Sequence, residues 1–466
     1  AGSPTLVQHV SCPNAGTTGS GVGGAQSSSP VYLCPLPEPT QGGNAILLGF
    51  FSDNTGSPTW TVSDDKSNVW TLAGSTTDSE GNIIAVYYAL NVAAGTRMLS
   101  VQSSAQTAGY LAVSASEYYN VATASALDTK SCNAGSSSTS ITAGSITPGT
   151  AGDLLWQWAA NANAAALASI SAGSQSNITW QLNGTDIHDG DATQAGVYNA
   201  TSAINPTFTS GTAEPFDSCV MALKAANAGN APTNPFRIVH MLHAQMSSSD
   251  SSPYVMQFPT SGNLEVLSFI SGGTTISGMT SSPSNTWSST GPAETPSWVA
   301  SQIYYAANAA TSNSMTLSIS LSGTITGLTF MMYDITGAAS SPFDKDSGGQ
   351  SGNEGNFVSS LTTCSGCLTP TGVSGGNELI VGNVGNTYCT ATGLTAPSGG
   401  LFDTATYNGD SVNGPEPVDQ NNGWFHYYDS ATSAITATWD YTCGSNPINS
   451  WGGRVAAFKA AQSGNP

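Results

Sequence analysis

Positive charge is what this sequence has least of. Of 466 residues only 8 are lysine or arginine, against 28 aspartate or glutamate, for a formal net charge of −20. So few cations cannot displace the counterions of a polyanion, which excludes nucleic acid as a partner. Charged residues of both signs make up 8% of the chain, where an ordinary soluble domain carries about 25%. Ionic networks are thereby excluded as the main source of stability, and the surface must be kept wet by Ser, Thr, Asn and Gly.

Long apolar runs are missing as well. None approaches the roughly 18 to 20 residues that a spanning helix needs, so no membrane insertion is expected. The opening Ala1-Gly2-Ser3-Pro4 has neither the basic nor the apolar region of a signal peptide, and the expectation is a secreted, mature chain from which such a peptide has been removed. No capped helical stretch of convincing length is present. Histidine, favoured for metal ligation and general-base catalysis, occurs five times, as His9, His188, His240, His243 and His426.

What the sequence does have is repetition. Asn68-Val69-Trp70 recurs as Asn285-Thr286-Trp287, and Val86-Tyr87-Tyr88-Ala89-Leu90-Asn91 as Ile303-Tyr304-Tyr305-Ala306-Ala307-Asn308, both at a shift of 217 that also carries Met98 onto Met315 and Glu117 onto Asp334. Outside that block the shift drifts, as loop insertions require, but landmarks persist. Pro4 and His9 match Pro235 and His240, Leu127-Asp128 matches Phe343-Asp344, and Asp153-Leu154-Leu155 matches Glu378-Leu379-Ile380. Ala222-Leu223-Lys224-Ala225-Ala226 matches Ala457-Phe458-Lys459-Ala460-Ala461. Copies over 1–226 and 235–466 are expected, joined by a polar Gly and Pro linker at 227–234. Each half holds 4 basic and 14 acidic residues.

Within a copy the period is two. Leu111, Val113 and Ala115 alternate with Ala112, Ser114 and Ser116, and runs such as Ala45-Ile46-Leu47-Leu48-Gly49-Phe50-Phe51 are bounded by polar turns. Many short strands with Gly- and Ser-rich turns predict an all-β protein of two tandem homologous β-sandwich domains of jelly-roll type. Its N-x-W turn, Y-Y-A-x-N strand end, acidic residue closing an aromatic strand and terminal A-[LF]-K resemble secreted bacterial tandem-repeat proteins with lectin-like jelly-roll sandwich domains. The resemblance covers both halves. It implies fold and an extracellular or cell-surface location, and says little about activity.

Eight cysteines fall four to a half, which favours internal disulfides and an oxidising compartment. Sequence cannot fix connectivity, but proximity and expected strand adjacency suggest Cys12 with Cys34, Cys132 with Cys219, Cys364 with Cys367, and Cys389 with Cys443. The Cys364-Ser-Gly-Cys367 segment lacks the strand-to-helix context of a redox pair and is read as structural.

No constellation for catalysis emerges. His240 and His243 are three apart, so on a strand they face opposite ways and cannot share a metal. Glu117 and Asp334 have no acidic neighbour two residues on, as a glycosidase strand would, and are read as carboxylates accepting turn N–H bonds. Gly409-Asp410-Ser411 lacks the surroundings of an esterase nucleophile. Asp186, Asp189 and Asp191 form an oxygen-rich loop, a candidate for calcium and equally a solvated turn. Trp60, Trp180, Trp298, Trp424 and Trp451 belong to one copy each and are candidates for a sugar-stacking platform or for subunit contacts. Asn177, Asn183 and Asn199 stand in N-x-[ST] sequons.

The expectation is therefore a structural protein of the cell exterior, without cofactor or enzymatic activity, that polymerises with its own copies into a filament or surface layer. One route is for the first segment, around Thr5-Leu6-Val7-Gln8, to complete a neighbour's sheet. The alternative is a carbohydrate-binding or adhesive protein with glycan partners, and a third reading is a glycoside hydrolase.

Overall fold

A computed structural model of the chain describes residues 1–12, 31–53, 57–104, 111–161, 175–183, 191–246, 252–293, 299–323, 328–352, 360–370, 378–387, 389–395, 403–405, 420–429, 434–443 and 451–461. Among them there is no helix. The first half supplies β1 (Thr5–Cys12), β2 (Val31–Pro35), β3 (Ala45–Asp53), β4 (Trp60–Asp64), β5 (Trp70–Thr77), β6 (Asn82–Ala89), β7 (Met98–Ser103), β8 (Leu111–Tyr119), β9 (Leu127–Thr142), β10 (Asp153–Asn161), β11 (Gln181–Asn183), β12 (Asp191–Tyr198) and β13 (Thr207–Leu223). The second half begins with β14 (Arg237–Met246), β15 (Tyr254–Thr260), β16 (Leu264–Ser271), β17 (Ile276–Ser282), β18 (Trp287–Ser289), β19 (Ala300–Ala307), β20 (Ser312–Leu321) and β21 (Leu328–Thr336). It ends with β22 (Ala338–Asp346), β23 (Gln350–Gly352), β24 (Ser360–Leu368), β25 (Glu378–Thr387), β26 (Cys389–Thr395), β27 (Asp403–Ala405), β28 (Gln420–Asp429), β29 (Ile435–Cys443) and β30 (Trp451–Ala460).

A ten-stranded sheet in the order β18-β19-β16-β21-β14-β1-β8-β3-β6-β5 forms the middle of the molecule. Its order reads the same from either end once each strand is replaced by its counterpart in the other half. At the centre β1 and β14 pair in parallel, with His9 opposite His240 and Val10 opposite Met241. The two halves thus share one hydrogen-bonded sheet. Consequently β1 is an interior strand, held by β8 on one side and β14 on the other, and Thr5-Leu6-Val7-Gln8 is not the free edge that the sequence suggested.

A parallel junction between mirrored halves requires an approximate two-fold axis along the strands, and such an axis turns each copy's faces over. The core obeys this. Leu48 of β3 and Val266 of β16, which are not counterparts, share one cluster, whereas Leu267, the counterpart of Leu48, lies in another with Phe269 and Met332. On one side of the central sheet, β2-β7-β4 covers the first half, and the sheet of β22, β30, β25, β28 and β27 covers the second. On the other side, β11-β12-β10-β13-β9 covers the first half and β15-β20-β17 the second. The cluster containing Val10, Leu48, Val101, Val266, Trp424 and Phe458 crosses the junction, so burial as well as hydrogen bonding joins the halves.

Local sequence explains how β10 packs on β3. Trp156 and Trp158 on β10 are buried against β3 because Gly49 has no side chain; a Cβ there would come within 2.7 Å of Trp158 Cγ. Two disulfides pair as expected, Cys12 with Cys34 and Cys132 with Cys219. Cys364 and Cys367 both lie on β24, and Cys389 faces Cys443 in the β26–β29 register.

Register corrects one point of the repeat. Gln8 pairs with Glu117, and His240 with Asp334, each beside a bulge at the same place. Since Glu117 and Asp334 are counterparts, so are Gln8 and His240, and His9 corresponds to Met241. Matching the two histidines by identity put β1 and β14 one residue out of step.

Candidate functional site

Among the described residues, chemically capable side chains concentrate at the junction between the halves. Glu117 and Asp334, both fully buried, close β8 and β21 there. Glu117 accepts hydrogen bonds from Gln8 Nε2 at 2.6 Å, Asn44 Nδ2 at 2.6 Å and the Gln41 amide at 2.8 Å. Asp334 accepts them from His240 Nδ1 at 2.6 Å, the Ser261 amide at 2.9 Å and Ser261 Oγ at 2.7 Å. Each carboxylate thus pins a turn to the strand beside it, with Gln8 and His240 as equivalent donors. Burial pushes the Glu117 carboxyl up, and the donors from Gln8, Asn44 and Gln41 pull it back.

Glu117 and Asp334 lie on opposite faces of the central sheet, and on the face of Asp334 runs a directed chain of buried hydrogen bonds. Trp156 Nε1 can only donate, and it donates to Ser116 Oγ at 3.1 Å, leaving the Ser116 hydroxyl proton for His9 Nδ1 at 2.8 Å. His9 then carries its proton on Nε2, facing Ser11 Oγ at 3.2 Å; Ser11 in turn meets Ser114 at 3.0 Å, and Ser114 donates to the Val10 carbonyl at 3.3 Å. Burial, and then the neighbouring His240, holds the His9 pKa well below the usual imidazole range, so the ring is neutral.

One member of this cluster has no local sequence signature. Glu265 on β16 stands directly opposite Asp334 on β21 and is fully buried. Burial and then the Asp334 carboxylate push its pKa well up. Acids paired across two strands leave no i, i+2 spacing along either one. On the opposite face, Glu38 of the first half accepts hydrogen bonds from the Ile238 amide at 2.9 Å and from the Tyr428 hydroxyl, both of the second half. His426 Nε2 donates to the Pro37 carbonyl at 2.8 Å.

These buried side chains are engaged chiefly with one another. A His240–Asp334 pair is two-thirds of a nucleophilic triad, but the group facing His240 Nε2 is the Gln181 side-chain amide, at 3.4 Å. His240, Asp334, His9 and Glu265 are each no more than 4% exposed. His243 faces the other way and packs edge-on against Trp424, ring centroids 5.2 Å apart. Among the described residues no group of three or more His, Cys, Asp or Glu is arranged to hold a metal.

The other residues singled out by sequence fall as follows. Asp186, Asp189, His188, Trp298 and Gly409-Asp410-Ser411 lie outside the described residues. Asp191 is buried at the start of β12 opposite Ala160, turned into the sandwich. Trp180, Trp424 and Trp451 are buried, and Trp60 packs on Phe50 at 4.8 Å. None of the four forms a surface platform: alternation points Trp60, Trp424 and Trp451 inward along β4, β28 and β30, Trp60 remaining half-buried, and Trp180, just before β11, packs with Leu155 and Tyr198. Asn177 and Asn199 are exposed next to each other, the Asn199 amide donating to the Asn177 carbonyl at 3.0 Å.

No family model, curated protein or solved structure matches the chain.

Proposed function

We propose that this protein is an extracellular structural subunit that associates with copies of itself, edge to edge, into a filament or surface layer. We read 1–226 and 235–466, joined by 227–234, as tandem jelly-roll-like copies.

One observation carries the reading. The central sheet ends at β5 and β18, and at the β5 end Val69 is 80% and Leu72 49% exposed. They are two of the three large hydrophobic residues exposed among those described. Their counterparts at the β18 end are Thr286 and Ser289, so the repeat does not itself require an apolar edge. An open edge strand with apolar side chains is a template for another strand. The chain already joins its own two halves by continuing one sheet into the next, and a second copy of the chain is the occupant that this edge fits. Among the described residues no strand pairs with the outer side of β5 or β18, and a subunit with two such edges propagates wherever the rotation between copies does not close a ring. The sealed polar junction, the low charge and the two disulfides support a durable role outside the cell.

Light scattering of the full, non-reduced chain over a range of concentrations tests the proposal. Growth of mass with concentration is expected, together with no specific retention on insoluble polysaccharides. A chain that stays monomeric and binds one polysaccharide selectively would overturn it in favour of the carbohydrate-binding alternative.

A further inference from the structure

Two of the 8 cationic side chains occupy the same position in both halves. Lys224 Nζ lies 3.9 Å from Asp128 Oδ1, and Lys459 Nζ lies 3.8 Å from Asp344 Oδ1. Each aspartate sits in a β-bulge: the register passes from Leu127 opposite Leu223 to Thr129 opposite Ala222, and from Phe343 opposite Phe458 to Lys345 opposite Ala457. A bulge re-aims the side chain it carries, and here both point at the lysine. Asp128 and Asp344 are 15% and 6% exposed, Lys224 and Lys459 43% and 27%.

A second acid flanks each lysine from the strand on its other side. Glu378 is directly opposite Lys459 in the β25–β30 register. Asp153 precedes Leu154, which is opposite Leu223, and so stands across from Lys224. Asp153 and Glu378 are each 1% exposed. Burial and the adjoining Asp128 raise the Asp153 pKa, while Thr150 donates to it at 3.0 Å. Partly exposed ion pairs stabilise little, which leaves the recurrence of lysine, bulged aspartate and buried acid, in a chain so poor in cations, without a reason in electrostatics.

We propose that each half closes an intramolecular amide bond, Lys224 to Asp128 and Lys459 to Asp344, assisted by Asp153 and Glu378. Within the ion pair one ammonium proton passes to the carboxylate; the freed amine attacks the aspartic acid carboxyl carbon, a C–N bond forms, and the carboxyl hydroxyl departs as water with a second proton from nitrogen. The buried acid donates its proton toward the carboxyl oxygen and recovers one from nitrogen, ending unchanged. No oxidant or cofactor is consumed, and holding both groups on paired strands replaces a bimolecular condensation by a unimolecular one. This inference is independent of how the subunits associate.

The test is the intact mass of the full chain, reduced and denatured, with tandem mass spectrometry of its digest. The expected mass is two waters below that of the sequence, with branched peptides joining the two named pairs. Lys224→Ala should recover one water of mass, and Asp128→Asn should still close, losing ammonia in place of water at that bond. Asp153→Asn should leave the first bond open in a folded chain. A parent at full sequence mass, or a water lost at a site other than these lysines, would overturn the proposal; closure of Asp153→Asn at the parental rate would overturn the part assigned to the buried acid.

Discussion

His9 and His240 lie side by side across the one parallel junction of the central sheet, ring centroids 6.2 Å apart, although they are not counterparts in the repeat. The two-fold axis along the strands explains both facts. It turns each copy's faces over, so residues that meet across the junction come from adjacent positions of the repeat. Each ring is then served by its own polar set, His9 by serines and His240 by Asp334. Such fully engaged buried networks fix one arrangement of strands, because a slip would leave several polar groups unpaired.

Acid should weaken the fold through histidines that it holds neutral. Burial lowers the His243 pKa to about 3, below its unfolded value. Its contribution is therefore complete above about pH 6.5 and is lost as pH falls toward 3, at up to about 1.4 kcal/mol per pH unit. His243→Phe, which keeps a ring against Trp424, should flatten the fall in Tm between pH 6.5 and 4. Parallel curves for parent and variant would show that His243 does not titrate in this way.

Asp217 should act in the opposite direction. It is fully buried, and burial, followed by the charge of Asp78, raises its pKa to about 8. The folded state thus binds a proton that the unfolded chain releases near pH 4. Stability from this group is complete in acid and is lost as pH rises toward 8. Asp217→Asn should remove that decline, so that the variant gains on the parent as pH is raised from 5 to 8. A constant difference in Tm would contradict it.

The disulfides should be unequal in weight and complete in number. Cys132–Cys219 spans 87 residues of chain, and replacing both by Ala should cost about 2–5 kcal/mol in urea denaturation. Peptide mapping of the non-reduced chain should also recover Cys389 linked to Cys443, which face each other in register, and Cys364 linked to Cys367. A free thiol at any of these four positions would refute that pairing.

Gly49→Ala should destabilise by about 1–3 kcal/mol, since a Cβ at that point meets both Trp158 and Trp156. An unchanged denaturation midpoint would mean that β10 moves away without loss.

Much of the fold was legible because its signals are local. Alternation along Leu111, Val113 and Ala115 marks a strand, and the gapless shift that carries Trp70 to Trp287 marks β5 and β18 as counterparts. Glu117 and Asp334, without an acidic neighbour two residues on, read as turn-binding carboxylates, and their donors are turn amides and side chains. What was not legible depends on partners far away in sequence. Joining of the halves through β1 and β14 has no local signature, and neither has the placing of Glu265 against Asp334. Trp424 reads as a binding residue in isolation, and only its position beneath the central sheet reveals it as core.

Electron microscopy of the natively folded, non-reduced chain beside a Val69→Lys, Leu72→Lys variant tests the central claim most directly. Both residues are exposed at the sheet edge, so the variant should keep the parental Tm and circular dichroism. The account predicts regular fibres or sheets from the parent and discrete particles from the variant. Identical assemblies from both, or discrete monomers from the parent at every concentration, would contradict it.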